Sequence, residues 1–111
     1  MQWKQLTDEQ QLNEIIANSD QKPQVIFKHS TRCSISAVAM SRLQKARQSE
    51  MVDFYYLDLI AYRKVSNKVA EVFGVHHESP QVLVIKNGKC VYDESHMGIS
   101  MDEIIDQATA A

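Results

Sequence analysis

The chain has 111 residues, 44% of them apolar and 23% charged, with a net charge of −2. That is enough for one domain with a real core and too little for two, and without a Lys/Arg run or a basic stripe between aromatics there is no case for nucleic acid. No apolar segment approaches the roughly 20 residues that span a bilayer, so no membrane partner is expected, and "MQWKQLTDEQ" lacks a secretory h-region.

The "WKQL" segment at 3–6 reads as a short edge strand. Thr7 looks like an N-cap with Gln10 completing a capping box, and Leu12, Ile15 and Ile16 form the buried stripe of a first helix. "NSDQKP" is a turn, and "QVIF" is a continuously apolar buried strand. Small polar residues then present Cys33 and lead into a second helix. Ile35, Val38, Ala39, Leu43 and Ala46 recur at helical spacing, with Ser36, Ser41, Gln44 and Arg47 on other faces, to about Gln48. "VDFYYLDLI" is strand-like, and Val65, Val69, Val72 and Phe73 stripe a third helix stopped by Gly74. After "VHHESP" come "QVLVI" and "CVYD", joined through Asn87-Gly88, a strong hairpin signal. Ser100 and Glu103 form a second capping box, opening a last helix striped by Met101, Ile104, Ile105 and Ala108. The order (β)αβαβαββα predicts an α/β fold in one domain over 1–111: a central mixed sheet, antiparallel at the final hairpin, flanked by helices.

The chemistry concentrates at "VIFKHSTRCSISAVAM". A strand feeding directly into a helix leaves the first helical N–H groups without partners, and these, with the positive end of the helix dipole, stabilise an anion. A cysteine placed there has its thiolate favoured over its thiol, and Arg32 and Lys28 add positive potential. The thiolate is the nucleophile in disulfide exchange, so Cys33 is the expected catalytic residue. Ser36 lies one turn further on the same face, where a dithiol enzyme carries its resolving cysteine. A hydroxyl cannot resolve a mixed disulfide, but it can donate a hydrogen bond to the thiolate. The motif is monothiol, and Ser36 is assigned to the catalytic pair.

From 3 to 108 the chain resembles the thioredoxin superfamily, through the strand–Cys33–helix junction, "FGVHHESPQVLVIKNGK" and "HMGIS". The resemblance implies a thioredoxin-like fold in which Pro80 is cis, the Asn87-Gly88 turn follows, and Gly98 precedes the last helix. Within the superfamily "FKHSTRCSISA" looks most like the monothiol bacilliredoxins, with Ser34 where a proline is more usual. Phe27 stands where thioredoxins bury an acid. The resemblance implies substrate contacts from Arg32, Ser34, Ser79, Pro80 and Gly98, the Ser79 backbone pairing with the bound chain. It implies bacillithiol as thiol co-substrate with no tightly bound cofactor, and bacillithiolated proteins and low-molecular-weight thiols as partners.

If the Pro80 strand runs antiparallel to the Val25 strand, Pro80 comes beside Cys33. The hairpin turn then lies about 20 Å away, at roughly 3.3 Å per residue. Cys90 follows that turn, beyond the ~7 Å Cα separation a disulfide allows. His29, His76, His77 and His96 gather at the Cys33 end without a metal-ligand spacing, and Asp58 ends its strand there as a candidate proton acceptor. Two free thiols without export features point to a reducing cytoplasm, with the protein a monomer or weak dimer. Two other readings stay open: an iron–sulfur or small-thiol binding module like the monothiol glutaredoxins, which share Cys-x-x-Ser, and a redox-inert interaction domain.

Overall fold

The computed structural model describes residues 3–46 and 49–110. Five strands, β1 (Lys4–Gln5), β2 (Gln24–His29), β3 (Asp53–Asp58), β4 (Gln81–Lys86) and β5 (Lys89–Ser95), form one sheet in the order β1-β3-β2-β4-β5. β1 and β2 run parallel to β3, while β4 runs antiparallel to both β2 and β5. This is the mixed α/β sheet that the element order predicts, with its edge strand at 4–5 and its hairpin at the expected turn.

Strand alternation divides the core between the two faces. Val25 and Phe27 of β2, Phe54 of β3 and Val82 and Val84 of β4 meet α2 (Ser34–Lys45) through Ala39 and Leu43. They also meet α4 (Met101–Thr109) through Ile104 and Ala108. Ile26, Tyr55, Leu57, Leu83 and Ile85 face the other way. They pack on α1 (Gln10–Asn18) through Leu12 and Ile15 and on α3 (Arg63–Phe73) through Val65 and Val69.

Three local expectations shift. The capping box of α1 sits one residue later than Thr7/Gln10: Asp8 Oδ1 accepts the Gln11 amide, and Gln11 Oε1 accepts the amides of Thr7 and Asp8. The buried face of α2 is Ser36, Ala39 and Leu43, whereas Ile35 and Val38 are 43% and 47% exposed. The reason is local, since Ser36 finds polar partners inside and can be buried while two apolar residues are left at the surface. Val72 of α3 is likewise exposed, and Ser66 takes a place in its buried face. Arg47 and Gln48, where the pattern ends α2, lie outside the described residues.

The turns follow their sequence signals. Gly74 ends α3 in the left-handed conformation at φ 64°, and Asn87 and Gly88 both have positive φ, as a two-residue hairpin of this hand requires. Ser100 caps α4, its hydroxyl accepting the Glu103 amide.

Candidate active site

β2 ends at His29, and its chain enters α2 five residues later. Cys33 is the N-cap of α2, with extended backbone (φ −114°, ψ 123°), and its carbonyl accepts the first helical bond from Ala37. Among the described residues the amides of Ser34, Ile35 and Ser36 meet no backbone carbonyl, so they are the orphan donors of a helix start. Cys33 itself is partly exposed, and the flanking Arg32 and Ser34 are exposed.

Ser36 is fully buried. Its Oγ accepts the Ser30 amide at 3.0 Å and lies 2.6 Å from His29 Nδ1. Among the described residues it makes no bond to Cys33; its hydroxyl faces inward, to the end of β2. The Cys33 amide donates to the Ser30 carbonyl at 3.2 Å, closing residues 30–33 into a turn. His29 is buried beside Phe27 and Tyr56, with ring centroids 5.9 and 5.7 Å away. Burial holds its imidazole below the usual histidine range, against the opposing pull of Asp58, its register partner on β3.

Lys28 does not stand beside Cys33. It projects from the other face of β2, fully buried, and donates from Nζ to the Ser66 carbonyl of α3 at 3.2 Å. His77 Nδ1 lies 3.2 Å from the same nitrogen. No carboxylate pairs with Lys28 among the described residues, and burial lowers its amine to about 8. The His77 imidazole is held low by burial and by the Lys28 charge.

The register Lys28↔Gln81 puts the residue before Gln81 opposite the end of β2, as the antiparallel reading requires. That residue is Pro80, joined to Ser79 by a cis peptide. The Pro80 ring is buried, and the Ser79 backbone N–H and C=O take no partner among the described residues. Gly98 closes a 3-10 turn, His96–Gly98, that returns to this end of the sheet and is fastened by the His96 amide to the Pro80 carbonyl. A Cβ on Gly98 would stand 2.7 Å from the Glu94 carboxyl carbon, so a larger residue there would displace the Glu94 side chain.

The two carboxylates of this end, Glu78 and Asp58, have structural partners. Glu78 faces His96 at 3.4 Å and His76 at 4.0 Å. Asp58 Oδ1 accepts the amides of Ile60 and Ala61, capping the turn into α3. No group of three His, Cys, Asp or Glu side chains is arranged to hold a metal ion among the described residues. Cys90 lies opposite Ile85, which pairs with Gln24 at the start of β2, so the two free cysteines occupy opposite ends of the sheet. The sequence reading missed His29 and Lys28 as buried groups. Period-two alternation from Phe27 carries the signal, sending His29 to the Phe27 face and Lys28 to the Ile26 face.

The family model described as Monothiol bacilliredoxin BrxC matches residues 4–104. A solved thioredoxin-fold protein proposed to be an oxidoreductase is 30% identical, with a TM-score of 0.80 over 94% of this chain and 91% of that one. The thioredoxin Mala s 13 of Malassezia sympodialis superposes with a TM-score of 0.75 at 17% identity, over 98% of this chain and 92% of its own. Fasciola hepatica thioredoxin gives 0.73 at 18%, over 96% of each. At such identities the two thioredoxins show the shared fold.

Proposed function

Because this chain belongs to the monothiol bacilliredoxin family, and so to the thiol redox proteins, we propose that it is a monothiol thiol–disulfide oxidoreductase that removes bacillithiol from protein mixed disulfides. The observation that carries the monothiol reading is the placement of its two sulfurs: Cys33 opens α2, and Cys90 sits at the far end of the sheet.

In this reading the Cys33 thiolate attacks the bacillithiol sulfur of a protein–S–S–bacillithiol bond. The Cys33–bacillithiol disulfide forms as the old disulfide breaks, and the target leaves as a thiolate that takes a proton from water. A second thiol then attacks the adduct, takes the bacillithiol sulfur into a new disulfide and restores Cys33. The unpartnered first-turn amides and the positive end of α2 stabilise negative charge on Sγ. The free Ser79 backbone is suited to pair with an extended target segment, while Pro80 and Gly98 border it. Arg32 and Ser34 stand exposed where they can meet the small thiol. The setting is a reducing cytoplasm, and the working unit is a monomer or weak dimer.

Wild type and Cys33→Ser, each incubated with a bacillithiolated protein, give the test. Intact mass is expected to show bacillithiol moving to wild type and not to the variant. Equal loss of bacillithiol from the target with both proteins rules the mechanism out. Parallel exposure to oxidised bacillithiol and oxidised glutathione reads which small thiol Cys33 accepts.

A further inference from the structure

Behind Cys33, polar atoms from three residues of one short segment meet in the core. Ser36 Oγ accepts the Ser30 amide at 3.0 Å and sits 2.6 Å from His29 Nδ1. All three residues are buried, and Ser30 holds the Cys33 amide through its carbonyl at 3.2 Å. A hydroxyl has one hydrogen and two lone-pair sites. With the Ser30 amide on one lone pair, the short contact to Nδ1 runs in one of two directions. A neutral His29 that carries its hydrogen on Nε2 receives the Ser36 hydrogen at Nδ1, and that hydrogen then points away from the sulfur. An imidazolium donates from Nδ1, fills the second lone pair and turns the hydroxyl hydrogen out. Among the described residues nothing else meets Ser36 Oγ, so that hydrogen is left without an acceptor in the core.

Taking the exchange reaction at Cys33 as given, we propose that His29 is its positioning residue. Acting through Ser36, it fastens the turn at 30–33 while neutral with its hydrogen on Nε2, and on taking a proton it strands the buried Ser36 hydrogen and loosens that turn. Ser36 is thus a latch that the imidazole sets. The groups around the imidazole set when the change occurs. From β3 the Asp58 carboxylate favours the imidazolium, and the Tyr56 ring lies alongside. From β2 the Phe27 ring stacks on it and excludes water. From α2 it meets the uncharged Ser36. Lys28, the preceding residue, faces the other side of the sheet.

The test uses the full chain in a Cys90→Ala background, with iodoacetamide alkylation of Cys33 followed from about pH 5 to 8.5 beside exchange with a bacillithiolated protein. His29→Phe is expected to slow both near neutral pH by about tenfold, the worth of one well-placed hydrogen bond. His29→Asn, whose amide can reach Ser36 from the position of Nδ1, restores the neutral rate to within about threefold. It also flattens the acid limb of the profile, because an amide takes no proton. In a Ser36→Ala background, His29→Phe is expected to cost nothing further. Equal costs of His29→Phe with and without Ser36, or identical pH profiles for wild type and His29→Asn, overturn the proposal. Alkylation needs no bacillithiol: if the alkylation pattern holds while wild type fails to exchange, the proposed function falls and the His29 latch stands as a property of Cys33.

Discussion

Cys90 is half-buried on β5, where burial pushes its thiol up to about 11 and Sγ donates to the Tyr92 carbonyl at 3.3 Å. A group of that pKa is ionised in fewer than about one molecule in a thousand near neutral pH. Limiting iodoacetamide at about pH 7.5 is therefore expected to label Cys33 and leave Cys90 untouched, as read by peptide mapping, and equal labelling contradicts this. The difference between the thiols was legible in the sequence, because one follows a polar break into a helix and the other sits inside a strand. The side chains around Cys33 were less so. In "FKHS", Lys28 and His29 look like two cations leaving a strand. Their burial depends on a carbonyl of α3 and a hydroxyl of α2 that only the folded chain brings to them. Ser36 was legible as an occupant of the resolving position. Its inward direction was not, since helical spacing gives the face shared with Cys33 but not the partner that claims the hydroxyl.

α2 begins at Ser34, whose amide has no partner among the described residues, and the preceding Cys33 is extended. These are the conditions under which proline is tolerated at a first helical position. Ser34→Pro is expected to raise stability by about 0.5–1 kcal/mol through a less flexible unfolded chain, measured by denaturant unfolding; a loss of stability shows that the first turn needs that amide. At the other end of the sheet the hairpin is tied to α1. Ser19 Oγ donates to the Ile16 carbonyl and accepts the Gly88 amide at 2.8 Å, while the Ser19 carbonyl accepts the Asn87 amide. Ser19→Ala leaves the Gly88 amide unpaired and is expected to cost about 1–2 kcal/mol, and no change means the turn holds without it. Strand alternation, the Asn87-Gly88 pair, Gly74 and Ser100 all announce their elements from sequence because each acts over a few residues. The face of α2 did not, because Ile35 and Val38 lie at the surface beside the cysteine while a serine goes inside.

Across the whole molecule the sheet separates two cores, and Lys28 is a buried cation within the α1/α3 side. Its unfolded form holds a proton up to about 10.5 and its folded form up to about 8. Between these values the unfolded state binds more protons, so raising the pH favours the fold, while below about 8 the full cost of the buried charge remains. The unfolding free energy of wild type relative to Lys28→Met is expected to rise from about pH 7.5 to 9.5; a flat difference shows that the amine titrates normally. In the proposed reaction, the distance between the two cysteines bears on how the protein behaves over time. With no internal sulfur to eject it, a captured small thiol stays until another molecule arrives, so double-reciprocal plots at different levels of the regenerating thiol are expected to be parallel. When that thiol runs short, the protein stops in its capped form, and the capped fraction becomes a gauge of the supply around it.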